Sequence, residues 1–323
     1  MTTAYTVLQH LQDGRFYSGE ELASSLNISR ASIWKAIESL RKQGLEVHAV
    51  TGKGYRLSRP VECLDLDAIY SYMGAESSHY NIEVHQSLDS TNSYLLEQAK
   101  NGAENGSVCL AELQTAGRGR RGRQWISPIA TNIYMSYLWR TQMAPAAVAC
   151  GSLICALTVT QALNALGVEG IGVKWPNDVI VQQRKLAGIL LEMTGEAYAE
   201  QAVVIGIGVN LAMPDEAASA IDQPWIDLSS LTEQKLSRNQ IVAKILLQLR
   251  ANLEQFEREG MQAYLETWNK MDQYAGQEVE LHFPQQVITG KVQGIDQYGS
   301  LLLQTSEGVK AYQSGEVSLR MSS

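Results

Sequence analysis

A chain of 323 residues with 45% hydrophobic residues can bury more than one core, and predicts two or three domains. Its formal net charge of -8 leaves no global field for nucleic acid, so any such contact must come from local basic patches. No stretch approaches the ~20 apolar residues of a membrane span, the start lacks a charged segment followed by an apolar one, and the four cysteines and five histidines show no metal or disulfide spacing, so a cytoplasmic protein with reduced thiols and no membrane is expected.

Apolar Val7, Leu8 and Leu11 predict a first helix ended by Gly14. Ser18 is placed to cap a second helix over 19–26, and Ser29 a third over 30–41 with Ile33, Ile37 and Leu40 on one face. This is helix-turn-helix spacing, and the opposite face carries Arg30, Ser32, Trp34, Lys35 and Arg41, side chains of the kind that touch phosphates and base edges. Alternation through Leu45, Val47 and Ala49, then Gly52-Lys53-Gly54-Tyr55, reads as a hairpin wing with a basic tip at Lys53. The first 59 residues hold eight Lys and Arg against five Asp and Glu, the reverse of the whole chain, and Pro60 with Glu62 and Asp65 marks a boundary. A helical packing module with exposed basic residues remains the plainer alternative.

Strands are expected over 81–85 and 107–112, with Ser87 to Asn92 offering caps for a helix between them. The second strand leads through Gln114 to Gly117-Arg118-Gly119-Arg120-Arg121-Gly122-Arg123, three glycines among four arginines. Glycine permits close backbone approach and each guanidinium offers a planar fork of donors, so the run suits a phosphate or carboxylate, mobile when empty and ordered when filled; a solvated basic loop is the alternative. A strand over 132–139 and one long helix from Pro145 to about Leu166 follow.

Val173 to Val181 and Lys185 to Glu192 read as two apolar strands joined by a polar turn, with Asn177 and Asp178 at a break and Lys185 opening the return strand. Asn177 and Asp178 suit a metal or ribose, and a strand-borne lysine is held rigidly; Asp178 as a turn former and Lys185 as an edge residue stay open. Residues 202–210 predict a buried strand whose Gly206 and Gly208 mark close approach to a ligand, without a dinucleotide fingerprint or a P-loop anywhere. Residues 212–236 read as a loop in which Trp225 is either a core tryptophan, the plainer reading, or a stacking platform, and Ser237 caps a helix through Phe256. The remainder reads as a small β-barrel of four runs, 278–283, 287–292, 301–304 and 317–319.

Asp89-Ser90-Thr91-Asn92, the glycine-arginine run, Lys174 to Asp178, Lys185 to Gly188 and Gly206 to Asn210, with Ser29-Arg30-Ala31 and Gly52 to Tyr55, occur in the order found in the bifunctional biotin protein ligase and biotin-operon repressor family, which the chain resembles over essentially its whole length. The resemblance implies an α/β multi-domain protein: a winged helix (1–60), a central mixed α/β ligase domain of the class II synthetase type (65–272) and an SH3-like barrel (274–323). It implies that biotin and ATP give biotinyl-5'-AMP, that the biotinyl group passes to a lysine of the biotin carboxyl carrier protein of acetyl-CoA carboxylase, and that the adenylate-bound homodimer binds operator DNA. By position, Ser90, Thr91, Asn92, Gln114, Gly117, Arg118, Arg120, Lys185, Gly188 and Gly206 would hold biotin. Arg118, Arg120, Arg121, Asn177, Asp178, Asn210, Trp225 and Arg320 would hold the nucleotide, Asp178 would hold Mg²⁺, and Lys185 and Arg118 would be catalytic. Residues 192–199 are the candidate dimer edge. Lipoate ligases share the chemistry but lack the glycine-arginine run and winged helix; a ligand-sensing regulator without catalysis and a ligase without operator binding also remain.

Overall fold

The structure, a computed structural model, describes residues 2–194, 200–283, 286–314 and 318–321. Helices α1 (Thr3–Leu11), α2 (Gly19–Ser25) and α3 (Arg30–Lys42) bury Val7, Leu8, Leu11, Leu22, Ile33, Ile37 and Leu40 completely against one another. The expected caps are present: Ser18 and Glu21 form a reciprocal capping box and the Ser29 hydroxyl accepts from Ser32 N, worth about 1 kcal/mol each. Strands β1 (Val47–Val50) and β2 (Gly54–Leu57) make the antiparallel wing. Gly54 sits at φ +98° with the Tyr17 carbonyl where a Cβ would stand, so only glycine fits the strand-like pairing of Tyr17 with Tyr55.

Helix α4 (Leu66–Met73) leads to β3 (Asn81–His85), α5 (Thr91–Lys100) and β4 (Ser107–Ala111), a parallel βαβ unit. The chain then passes through β5 (Ile133–Thr141), α6 (Pro145–Val148), α7 (Gly151–Asn164), β6 (Gly172–Lys174), β7 (Asp178–Val181), β8 (Arg184–Thr194) and β9 (Gln201–Val209). One seven-stranded sheet results, in the order β3-β4-β5-β9-β8-β7-β6, all pairs after β3–β4 being antiparallel. A short α8 (Asp215–Ala218) and the long α9 (Arg238–Glu259) follow; α4, α7 and α9 cover one face of the sheet and α5 the other. After α10 (Leu265–Met271), strands β10 (Glu278–His282), β11 (Val287–Ile295), β12 (Leu301–Thr305), β13 (Gly308–Tyr312) and β14 (Ser318–Met321) form an antiparallel sheet in the order β13-β12-β11-β10-β14. Its inner residues Val279, Leu281, Val292, Leu301 and Leu303 join the core of the central sheet.

Three expectations are corrected. The helix from Pro145 is two helices, parted at Ala149 and Cys150 where the 296–299 turn docks: the Cys150 thiol donates to Tyr298 O at 2.7 Å and Gly299 lies against Leu153. The run Pro145–Asn164, with mean hydropathy 1.8, is also long and apolar enough to cross a membrane by length and composition, although 72% of that window is buried within the protein. Finally, Val173 to Val181 is not one strand: it breaks at Trp175-Pro176-Asn177, so β6, β7 and β8 make two consecutive hairpins.

A fully buried ion pair joins the winged helix to the sheet. Arg238 Nη1 lies 2.7 Å from Glu112 Oε2, while Glu112 Oε1 accepts from Tyr5 Oη of α1 (3.0 Å) and from Leu64 N (2.6 Å). Arg238 also donates to the carbonyls of Glu62 and Asn132, and the Asn132 amide oxygen accepts from Leu211 N and Ala212 N. A buried charge needs such full satisfaction to be tolerated.

Candidate active site

The exits of β4, β6 and β9 and the starts of β7 and β8, capped by the glycine-arginine loop, enclose a cavity of about 310 Å³. Ser90 caps α5 at one end, and Thr91 donates from N (2.9 Å) and Oγ1 (3.2 Å) to Gln114 Oε1, whose amide nitrogen donates to Ser127 Oγ. Ser136 Oγ of β5 donates to Asn92 Oδ1 at 2.5 Å and stands 2.8 Å from Thr91 Oγ1. This is a buried polar cup with its donors and acceptors fixed. Gly206 and Gly208 of β9 line the cavity, and each also makes room for a side chain: a Cβ on Gly206 would overlap the Asn92 amide and one on Gly208 the Trp125 indole. Gly188 of β8 likewise faces Trp125 and Lys185.

The glycine-arginine run folds back on itself, Gly119 N donating to Arg123 O and Trp125 N to Gly117 O. Gly117 does not line the cavity; a Cβ there would meet Trp125 O, Ser127 Oγ and Gln114 Nε2, all within 2.9 Å, so it is the hinge on which the loop packs. Arg118 points to β8 and pairs with Glu192 at 2.8 Å. Arg120 donates to Asn177 Oδ1 (2.9 Å) and to Ser314 O (2.6 Å), pinning the loop to the β6–β7 turn and to the segment just after β13; burial pushes its guanidinium pKa down, opposed by Asp178. Arg121, at φ +59°, is exposed at the cavity mouth.

Lys185 Nζ stands 2.7 Å from Asp178 Oδ1, an ion pair without hydrogen-bond alignment, and 5.5 Å above the Trp125 ring. Across the β6–β7 hairpin from Asp178 lies Lys174, whose Nζ is 5.3 Å from the Tyr274 ring centre. Burial pushes the Lys174 pKa down, Asp178 opposes this, and Lys185, Arg123 and Arg320 add to the fall. Asn177, besides receiving Arg120, donates to Ile189 O at 2.7 Å.

The 212–236 segment closes the far side. Lys185 N donates to Pro224 O and Ile226 N to Lys185 O, which seats Trp225 alongside Lys185 at the cavity wall. The Asn210 amide nitrogen reaches the carbonyls of both Lys185 (3.3 Å) and Ile226 (3.2 Å), so it clamps this wall. Arg320 is exposed on β14 and lies outside the cavity lining, reaching it only as a charge felt by Lys174.

On the N-terminal face Trp34 is 55% exposed and Lys35, Arg30 and Lys53 lie at the surface, Arg30 paired with Glu20. The Ser32 hydroxyl is 2.9 Å from Ser29 Oγ at the start of α3. Arg41, also at the surface, donates twice to Val47 O and once to Glu38, tying α3 to β1. The free edge of β8 begins beyond Gly188; of the candidate dimer edge, residues 195–199 lie outside the described residues.

Among the described residues six cations, Arg118, Arg120, Arg121, Arg123, Lys174 and Lys185, line the cavity against two carboxylates, Asp178 and Asp222, in a chain of net charge -8. No three His, Cys, Asp or Glu among them group into a metal cage. Trp125, Lys174 and Glu192 escaped the sequence reading. Trp125 stands two residues after the loop, but its packing on Gly188 and Gly208 is tertiary; Lys174 opens the Lys174 to Asp178 stretch, yet nothing there but a cation two residues before a strand-breaking proline pointed to it as a site residue.

The chain matches the Biotin/lipoate A/B protein ligase family over residues 84–210, an HTH domain over 3–56 and the Biotin protein ligase C terminal domain over 274–320. It is 42% identical to the bifunctional ligase/repressor BirA of Salmonella typhimurium over 99% of this chain and 98% of that one, and 32% identical to that of Bacillus subtilis over 94% of each. The biotin protein ligase of Aquifex aeolicus in complex with biotin and ATP superposes with a TM-score of 0.65 at 30% identity, covering 75% of this chain and 99% of that one.

Proposed function

The chain belongs to the BirA family of bifunctional biotin ligase/repressors, and from that premise we propose that it joins biotin to AMP, passes the biotinyl group to a lysine of the biotin carboxyl carrier protein of acetyl-CoA carboxylase, and as the adenylate-bound homodimer represses a biotin operon in the cytoplasm. One observation carries the reading: six cations gathered around a buried polar cup in an acidic protein.

In the first step a biotin carboxylate oxygen attacks the α-phosphate of ATP and pyrophosphate leaves. Two anions must meet, and two unit charges 4 Å apart interact by roughly 4 kcal/mol at an effective dielectric near 20, so each cation matters. The cup of Ser90, Thr91, Asn92 and Gln114 receives the ring system beside Trp125. Arg118 and Lys185 face the carboxylate and α-phosphate, Arg120, Arg121 and Lys174 the remaining phosphates, and Trp225 the adenine. Mg²⁺ fits as an ion held by substrate phosphates and the single carboxylate of Asp178, which suits its preference for few protein ligands; when bound it neutralises phosphate charge. In the second step the acceptor lysine amine attacks the carbonyl carbon, forms the amide, loses a proton and releases AMP, whose growing charge the same cations stabilise. The Arg120 tether to Asn177 and Ser314 holds the loop closed against water, which would hydrolyse the mixed anhydride.

Incubating the protein with biotin and ATP and analysing the products by mass spectrometry tests the proposal. Biotinyl-5'-AMP with one pyrophosphate is expected; its absence refutes the ligase reading. Retardation of operator DNA that needs both biotin and ATP is expected of the repressor, and retardation independent of both refutes the corepressor role.

A further inference from the structure

Arg118 and Lys185 are the two cavity cations placed at the reacting atoms, and each is paired with a carboxylate. The two carboxylates differ in place. Asp178 lines the cavity, whereas Glu192 does not; only its partners Asn92 and Arg118 do. Glu192 Oε2 accepts from Arg118 Nη2 at 2.8 Å and from Asn92 Nδ2 at 2.9 Å. Asn92 is 4% exposed, with its amide oxygen held by Ser136 and its side chain seated over Gly206, so it cannot follow Arg118 if that arginine turns. The arginine side chain is 42% exposed and the glutamate 27%, the setting of a weak, exchangeable ion pair. The Arg118 main chain, by contrast, is fixed by its bridge to Gln124.

We propose that Glu192 is a positioning residue: it is the resident counter-anion of Arg118, holding the guanidinium at the cavity wall until the carboxylate of the substrate acid takes it over. The proposal rests on the reading of the cavity as a biotin and ATP site. On exchange the substrate carboxylate replaces Glu192 on Arg118, while Asn92 keeps Glu192 hydrogen-bonded, so neither carboxylate is left without a donor. Glu192 thereby competes with the substrate acid for one guanidinium. It lowers affinity for carboxylates and has no hold on a ligand that lacks one, which gives the site a selectivity step distinct from the ring-binding cup.

The test measures biotin-dependent pyrophosphate exchange, and binding of the neutral alcohol analogue of biotin, in the full chain and in Glu192→Gln, Glu192→Asp and Arg118→Met. Glu192→Gln is expected to lower KM for biotin roughly two- to five-fold with kcat within a factor of about two, the effect of removing one weak ion pair from competition. Affinity for the alcohol stays unchanged, Glu192→Asp keeps the parent KM, and Glu192→Gln adds nothing in an Arg118→Met background. A KM that rises or does not move, an equal shift for the alcohol, tightening in Glu192→Asp, or tightening that persists without Arg118 overturns the proposal. An intact chain with no biotin-dependent exchange overturns the ligase reading itself, and this inference with it.

Discussion

Lys185 is held by its main chain between Pro224 and Ile226, with its ammonium between Asp178 and the Trp125 face. In the proposed reaction a cation that rigid needs no reorganisation as charge develops on the α-phosphate. The same proposal gives Arg120 the complementary part of a latch, and Arg120→Gly should leave adenylate formation measurable while speeding dissociation of the adenylate by at least tenfold, since two hydrogen bonds from a charged group are lost. Release followed by filter binding or by modification of unrelated lysines checks this; an unchanged dissociation rate contradicts it. The glycine-arginine run, Asp178 and Lys185 were legible in the sequence because charge and glycine are unusual in that density and order. The partner of Arg118 was not, since Glu192 is 74 residues away and only strand register brings it near. The bond of Arg41 to Val47 O was hidden for the same reason: a basic residue on a helix face shows nothing of the carbonyl it serves.

Among the elements, α1 to α3, the wing and most strands follow from apolar spacing and caps, while the breaks do not. The 145–164 run is apolar almost all round, so no period marks where it parts to admit the 296–299 turn. Strand β13 escaped because its residues are largely exposed, without the alternation that burial imposes. The junction elements carry two stability predictions. Arg238→Met at the start of α9 leaves the Glu112 carboxylate buried without its cation and should cost about 3–5 kcal/mol, read as a lower urea midpoint at unchanged slope; a loss under 1 kcal/mol contradicts the pairing. Asp272, just after α10, is buried with Oδ2 unpartnered, and burial pushes its pKa up to about 6 although Tyr274 N donates to Oδ1. A raised folded-state pKa favours the protonated carboxyl, so its contribution is full below the unfolded value near 4 and is lost as pH rises through about 6. Asp272→Asn should therefore gain stability relative to the parent between about pH 4 and 6, approaching 3 kcal/mol and then levelling. Melting curves at pH 4, 5, 6 and 7 check it; a difference independent of pH contradicts it.

At the scale of the molecule, three units with separate sequence signatures share their contacts. The Glu112–Arg238 network touches α1, the linker, the exit of β4 two residues before Gln114, and the base of the 212–236 segment. The winged helix and both walls of the cavity thus rest on one buried polar junction, a connection that the composition of each unit conceals. Charge is likewise divided: the N-terminal 59 residues carry a basic excess and the cavity six cations, inside a chain of net charge -8. The central claim, that loop arginines and a strand lysine jointly neutralise an acid being coupled to AMP, is tested most directly by exchange of labelled pyrophosphate into ATP. The intact chain should show exchange that requires biotin, and Lys185→Ala should exchange on the order of 10² to 10³ more slowly with modest loss of biotin binding. Exchange at the parent rate in Lys185→Ala, or none with biotin in the intact chain, would contradict the account.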